Sequence, residues 1–66
     1  MKSYILTQDK FKHKSGTTVY PYSRYDYGLA EEDTEMTGEH HISVCLSTDG
    51  STPFFTVESE FLKEIK

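Results

Sequence analysis

Four glycines divide the chain into segments of similar length, and this spacing constrains the fold more than any other feature of the sequence. They stand at positions 16, 28, 38 and 50, so that ten to twelve residues separate each from the next. Glycine adopts the positive φ values that tight turns require, and turns at such intervals are typical of short strands in a small sheet or barrel. The chain is therefore predicted to be mainly β.

Four short strands are predicted between these turns. They lie at residues 3–8, 17–20, 41–47 and 54–57. The third alternates with period two, as a half-buried strand does, and places Ile42, Val44 and Leu46 on one face. Lys14-Ser15-Gly16 predicts the turn between the first two strands, and Asp49-Gly50 predicts a tight hairpin between the last two.

Two further segments of the chain are less regular than the predicted strands. Residues 59–65 place Phe61, Leu62 and Ile65 on one side of a turn or two of helix, and Ser59 is available to cap it. The segment from about 21 to 40 shows no sustained periodicity and is predicted as a long loop, which in compact domains is usually functional or disordered. The tyrosines of this segment favour an ordered loop over a disordered one.

The length of the chain sets the architecture. Its 66 residues suffice for a single small domain over 1–66 with one small core. We expect a small SH3-like barrel or a curled antiparallel sheet of four to five strands with a short C-terminal helical turn. A flat sheet crossed by a helix is the alternative.

Charge is unevenly distributed. Residues 1–24 carry five basic residues against one acid, a balance of +4, whereas residues 25–66 carry ten acids against two lysines, a balance of −8. The net charge of −4 disfavours duplex nucleic acid as a partner, because duplex binders neutralise many phosphates. A basic cluster remains, which could bind a phosphate or form a solvated hairpin tip; it comprises Lys10, Lys12, His13 and Lys14.

The single cysteine and the short apolar stretches bear on the compartment. Cys45 excludes an internal disulfide and, within its apolar run, is predicted to be a buried small hydrophobic residue. No stretch has the length of a membrane span or of a signal-peptide core. These features predict a cytoplasmic protein without membrane association.

Four of the five tyrosines fall between positions 20 and 27, and an acidic run follows them. Tyrosine presents a large rigid ring with a polar tip, which suits surfaces that meet partners or ligands. Packing within the core is the alternative for each ring. The predicted partner- or ligand-binding residues are Tyr22, Arg24, Tyr25, Asp26, Tyr27, Glu31, Asp33 and Thr34.

The sequence contains no complete catalytic motif, so we expect a protein that is not an enzyme and needs no cofactor. Glu39-His40-His41 offers metal-type ligands. Adjacent histidines in a strand point to opposite faces, however, and therefore cannot easily serve one ion. No metal site is predicted.

An ordered series of short motifs runs through roughly residues 18 to 65. The motifs are Tyr25-Asp26-Tyr27-Gly28, Asp33-Thr34, Thr37-Gly38, His41-Ile42-Ser43-Val44, Asp49-Gly50 and Pro53-Phe54-Phe55-Thr56. The series resembles small accessory proteins of bacteriophage genomes, and Glu58 replaces the proline expected in it. The resemblance implies a phage-encoded protein in the host cytoplasm that acts by stoichiometric binding.

Two functions are compatible with these features. The first is a non-catalytic inhibitor that binds a host or anti-phage defence protein through the tyrosine-rich, acidic segment. The second is a small-molecule sequestering protein, in which tyrosine faces and Arg24 hold a nucleotide signal between the subunits of a homo-oligomer. A structural accessory that forms a homodimer through a sheet edge is a third class.

Overall fold

The structure, a computed structural model, describes residues 3–65. Lys2 and Lys66, which enter the charge balance above, lie outside the described residues. Within this range the chain forms five strands, one α-helix and one short 3₁₀ turn. In chain order they are β1 (Ser3–Leu6), β2 (Thr18–Pro21), α1 (Leu29–Thr37), β3 (His41–Cys45), β4 (Phe54–Glu58), the 3₁₀ turn (Ser59–Phe61) and β5 (Leu62–Ile65).

All five strands belong to one antiparallel sheet in the order β4-β3-β2-β1-β5. The sheet curls, because the loop between β1 and β2 reaches across to β4: Lys10 pairs with Glu58, and the ring of His13 stacks on Phe55. The sheet nevertheless stays open, with β4 and β5 at its edges. The predicted mainly β fold, a curled antiparallel sheet, is confirmed.

The core is formed by one fully buried side chain from each of the first four strands, namely Leu6, Val19, Val44 and Val57. Burial of such a side chain contributes about 1.5–3 kcal/mol. Partly buried side chains extend this core; they are Tyr4, Ile42, Phe55, Phe61 and Leu62. The predicted apolar face of β3 is confirmed at Ile42 and Val44. The core is small, as the length of the chain predicts.

The connection between β3 and β4 differs from the prediction of a tight turn. The register pairs Cys45 with Phe54, so residues 46–53 form an eight-residue loop and Leu46 lies outside the strand, 46% exposed. The loop stays open because Ser23 binds it: the Ser23 N–H donates to the Gly50 carbonyl at 3.1 Å. Cys45 is buried, as predicted.

The C-terminal helix predicted over 59–65 is only partly present. One 3₁₀ turn forms at Ser59–Phe61, without a side-chain cap, and the chain then continues as β5. Pairing with β1, in register Leu6 to Leu62, satisfies the backbone of an otherwise open edge. The short apolar run fits either a helix or a strand, and this long-range pairing decides in favour of the strand.

The segment predicted as a long loop contains α1. The helix packs against β3 and β4, yet none of its side chains is buried. It ends at Gly38, whose φ of +78° permits the left-handed cap and whose N–H donates to the Thr34 carbonyl. Periodicity did not reveal this helix because it has no buried apolar stripe. No helix within residues 3–65 is long and apolar enough to span a membrane.

Candidate functional site

The segment between β2 and α1 is fixed at its beginning. The Tyr22 N–H donates to the Ser43 carbonyl at 3.0 Å, and the Tyr22 ring stacks on Phe54 with 4.0 Å between centroids. Ser23 follows and donates its N–H and its hydroxyl, at 3.1 and 3.0 Å, to the Gly50 carbonyl. The Tyr22 ring therefore packs against the sheet, which is one of the two roles, packing or partner binding, considered for it from the sequence.

Asp26 fixes the end of the same segment and starts α1. Its Oδ1 accepts the Gly28 N–H at 3.0 Å, while its Oδ2 accepts the Ala30 N–H at 3.3 Å and the Ser43 hydroxyl at 2.7 Å. These hydrogen bonds, the one from Ser43 foremost, hold the pKa of the Asp26 carboxyl below its ordinary value. Asp26 thus joins the start of the helix to β3 and is an anchor.

Tyr25 and Tyr27 stand out from this anchored segment. They are 73% and 78% exposed, and their ring centroids lie 5.1 Å apart in a tilted arrangement. Tyr27 has a φ of +59°, in the left-handed region that residues other than glycine seldom adopt. Core packing, the alternative weighed for both rings, is wrong. The cause is that Asp26 turns inward to Ser43 and leaves its two neighbours outside.

The acidic run lies on α1, where it divides into inward and outward residues. Asp33 accepts a hydrogen bond from the Thr56 hydroxyl on β4. Thr34 donates to the Ala30 carbonyl at 2.8 Å and accepts the His41 N–H at 2.9 Å. Asp33 and Thr34 therefore hold the helix on the sheet. The exposed carboxylates are those of Glu31, Glu32, Glu35 and, just after the helix, Glu39.

Arg24 is exposed at the edge of the same segment. It lies close enough to Asp49 to add a small lowering of the pKa of that carboxyl, after the larger effect of hydrogen bonds from Ser51. No ion pair joins Arg24 to another of residues 3–65. Its guanidinium therefore remains available next to the tyrosine pair in sequence.

His41 occupies a buried position at the start of β3. Its Nδ1 donates to the Glu39 carbonyl at 2.7 Å, and its Nε2 lies 3.2 Å from Glu58 Oε1. A shallow cavity of about 250 Å³ opens beside it and is lined by Glu31, Thr34, Glu35, His40 and His41. The described part of the chain contains no cluster of three metal-type ligands.

A second depression lies between the β1–β2 loop and the β3–β4 loop. It has a volume of about 220 Å³ and is lined by Lys12, His13, Leu46, Pro53, Phe54 and Phe55. We call it the aromatic groove. The sequence singled out Lys12 and His13 but missed the four apolar residues, since they are far away in the chain. The Phe54-Phe55 pair at a predicted strand start is the signal that could have indicated it, because consecutive side chains of a strand point to opposite faces and only one ring can join the core.

Fold and site together define a small open-sheet β domain whose helix is attached by polar contacts and whose segment before the helix displays two tyrosines. Of the eight predicted site residues, Tyr25, Tyr27, Arg24 and Glu31 are exposed. Tyr22, Asp26, Asp33 and Thr34 contact β3 or β4 instead. Comparisons with protein-family models, with curated proteins and with solved structures found no match.

Proposed function

We propose that this protein is a non-catalytic binding module that inhibits a host or anti-phage defence protein by occupying one of its surfaces. The contact surface consists of Tyr25, Tyr27 and the outward carboxylates of α1, and we call it the tyrosine–acidic surface. The observation that carries the proposal is the exposure of two adjacent tyrosine rings on a segment whose backbone is fixed at both ends.

The two rings are suited to serve as anchors of a protein contact. Tyrosine is enriched among the few residues that dominate binding energy, because it buries a large area and loses little conformational freedom. Here the loss is reduced further, since Asp26 and Ser23 already hold the segment. A segment fixed before binding needs less ordering when the partner arrives.

The charge of α1 indicates which kind of partner surface fits. Glu31 and Glu32 lie in the first turn, where carboxylates stabilise a helix, but Glu35 lies near the other end, where no basic residue offsets the negative end of the helix dipole. Glu39 adds a further exposed carboxylate nearby. A partner with a basic patch would complement this face and associate faster at low salt.

The phage setting belongs to the same proposal. The resemblance of the motif series to phage accessory proteins supports a protein that acts by stoichiometric binding. Such a role requires a rigid displayed surface and no reacting groups, which agrees with what Tyr25 and Tyr27 present. The expected partner is therefore a protein of the infected cell that uses a basic surface for its own function.

The experiment begins with an affinity pull-down from host lysate, followed by titration of the purified captured protein in a calorimeter. We expect one-to-one binding for the wild type and a loss of affinity of at least 100-fold for Tyr25→Ala/Tyr27→Ala, as for two anchor residues of about 1.4 kcal/mol or more each. Tyr25→Phe/Tyr27→Phe keeps the rings and should retain most of the affinity.

A charge experiment tests the second part of the surface. Glu31→Gln/Glu35→Gln should slow association and flatten its salt dependence, whereas Glu60→Gln/Glu64→Gln, two exposed carboxylates outside the helix, should leave both unchanged. Equal affinity of the tyrosine-to-alanine variant and the wild type for the captured protein would refute the proposal.

The alternative proposal, a homo-oligomer that sequesters a nucleotide through the tyrosines and Arg24, is supported by the exposure of all three side chains. It predicts a rise in the melting temperature with the nucleotide alone. Sedimentation would then give a dimer or larger assembly, and both effects would disappear in the tyrosine-to-alanine variant.

A further inference from the structure

The aromatic groove combines an apolar lining with a cationic side. Leu46, Pro53, Phe54 and Phe55 provide aliphatic and aromatic surface, and Lys12 and His13 provide nitrogen groups. No carboxylate belongs to this lining. In a chain with a net charge of −4, a depression lined without acids and with a lysine is complementary to an anion.

The structure reduces the number of lysines in the predicted basic cluster that are available to bind an anion. Lys10 is bound to Glu58 at 2.6 Å, and Lys14 Nζ lies 3.8 Å from Asp9 Oδ2. Lys12 makes no ion pair within the part of the chain that the structure describes, and it lines the groove. Of the three lysines, Lys12 is therefore the one placed to receive an external phosphate above the groove.

Aromatic rings form a platform on the same side. The imidazole of His13 lies on the Phe55 ring with 4.2 Å between centroids and an interplanar angle of 14°. Phe11 meets Phe55 edge to face at 6.3 Å and is 72% exposed. Planar rings beside a cation are the combination with which proteins bind a nucleotide without enclosing it.

We infer that the aromatic groove binds a free nucleotide, with the base against the stacked rings of His13 and Phe55 and the phosphate on Lys12. The volume of about 220 Å³ is below the roughly 300–1,000 Å³ of pockets that enclose drug-sized ligands. It therefore suits one ring system with the phosphate at the rim. The site shares no residue with the tyrosine–acidic surface, so the two proposals can be tested independently.

The test is a calorimetric titration of the whole protein with the four nucleoside 5′-monophosphates, the corresponding nucleosides and inorganic phosphate. We expect at least one monophosphate to bind more tightly than its nucleoside and more tightly than phosphate. Lys12→Gln should weaken binding of the monophosphate by tenfold or more and binding of the nucleoside only slightly. His13→Ala, which removes a ring of the groove, should weaken both. Lys63→Gln, an exposed lysine on β5, is the matched control and should bind as the wild type does.

Amide chemical shifts recorded with the same ligands locate the site, and thermal melting confirms that each variant is folded. Changes confined to the amides of residues 10–13, 46, 54 and 55 would support the inference. Four results would overturn it: no monophosphate binding at millimolar concentration, unaltered binding by Lys12→Gln, inorganic phosphate binding as tightly as the nucleotide, or shifts centred on Tyr25 and Tyr27. Tighter binding of an oligonucleotide with a 5′-phosphate than of any free nucleotide would overturn the free nucleotide as the ligand.

Discussion

Replacement of Asp26 by alanine should weaken the attachment of α1 to the sheet and lower the stability of the whole domain. The carboxylate accepts three hydrogen bonds, two from the start of the helix and one from Ser43. A helix cap contributes about 1 kcal/mol, and a hydrogen bond to a charged group about 1.5–3 kcal/mol. Because the carboxylate is only partly buried, we expect a total loss of about 2–3 kcal/mol.

This loss is large for so small a domain. A chain of this length has a free energy of unfolding of roughly 3–10 kcal/mol, and each 1 kcal/mol moves the melting temperature by about 4–8 °C. Unfolding followed by circular dichroism would therefore show a fall in the melting temperature of about 8–24 °C for Asp26→Ala, and urea titration a matching loss of stability. Ser43→Ala should remove only one of the three hydrogen bonds and lower the melting temperature by less.

A double-mutant cycle separates the hydrogen bond from other effects of the substitutions. If Asp26 and Ser43 interact as the structure shows, the double variant should be more stable than the sum of the two single losses predicts, by about 1 kcal/mol. Losses that add to within about 0.3–0.5 kcal/mol would refute the role of Asp26 as the link between helix and sheet. A loss below about 0.5 kcal/mol for Asp26→Ala would do the same.

Three further predictions concern the loops and the helix. Gly50→Ala places a Cβ 2.5 Å from the Ser23 hydroxyl oxygen at a φ of +74°, so urea unfolding should show a loss of about 2 kcal/mol or more, which Ser23→Gly should partly restore. The Lys10 hydrogen bond lowers the pKa of Glu58 below its ordinary 4.5; this contribution is present above pH 4.5 and is lost as the pH falls through the folded-state pKa. As the pH is lowered below about 4.5, the melting temperature should therefore decrease, and the decrease should be less steep in Lys10→Met. Equal slopes in the two proteins would contradict the pairing of Lys10 with Glu58. Amides of α1 should exchange with solvent faster than those of β3, because no side chain of the helix is buried; equal protection would show that helix and sheet open as one unit.

The first four strands could be predicted because their signal is local. Ile42 and Val44 alternate with polar residues, and this period indicates β3. The helix α1 gave no such signal, since it is attached through hydrogen bonds that Asp33 and Thr34 accept from Thr56 and His41 on the sheet. Its helix-forming composition between Gly28 and Gly38 was the remaining clue. A search for apolar periodicity does not detect a helix attached in this way.

The candidate site shows the same limit. Clustering of tyrosines singled out the segment that displays Tyr25 and Tyr27, but the sequence could not show which of its rings are exposed. Tyr22 packs on Phe54, a residue of a distant strand, whereas Tyr25 and Tyr27 have no such partner ring. The aromatic groove was beyond prediction for a related reason, because loops remote in sequence meet only after the sheet has curled.

Two residues other than glycine adopt a positive φ in the described part of the chain, Phe11 at +54° and Tyr27 at +59°. The left-handed conformation costs such a residue about 1–2 kcal/mol, which is substantial in a domain this small. Both residues are aromatic, and both expose more than 70% of their surface, so burial of their rings offsets little of that cost. Conformations of this kind persist when surrounding contacts enforce them, and they concentrate at functional sites. Local hydrogen bonds hold both conformations. Phe11 is the first central residue of a two-residue turn in which Lys10 and His13 exchange backbone hydrogen bonds, and such turns require a positive φ at this position. Tyr27 lies between Asp26 and Gly28, and the Gly28 N–H donates to the Asp26 carboxylate. Each turn therefore displays an exposed aromatic ring, and at Tyr27 the proposed partner contact would offset part of the backbone cost.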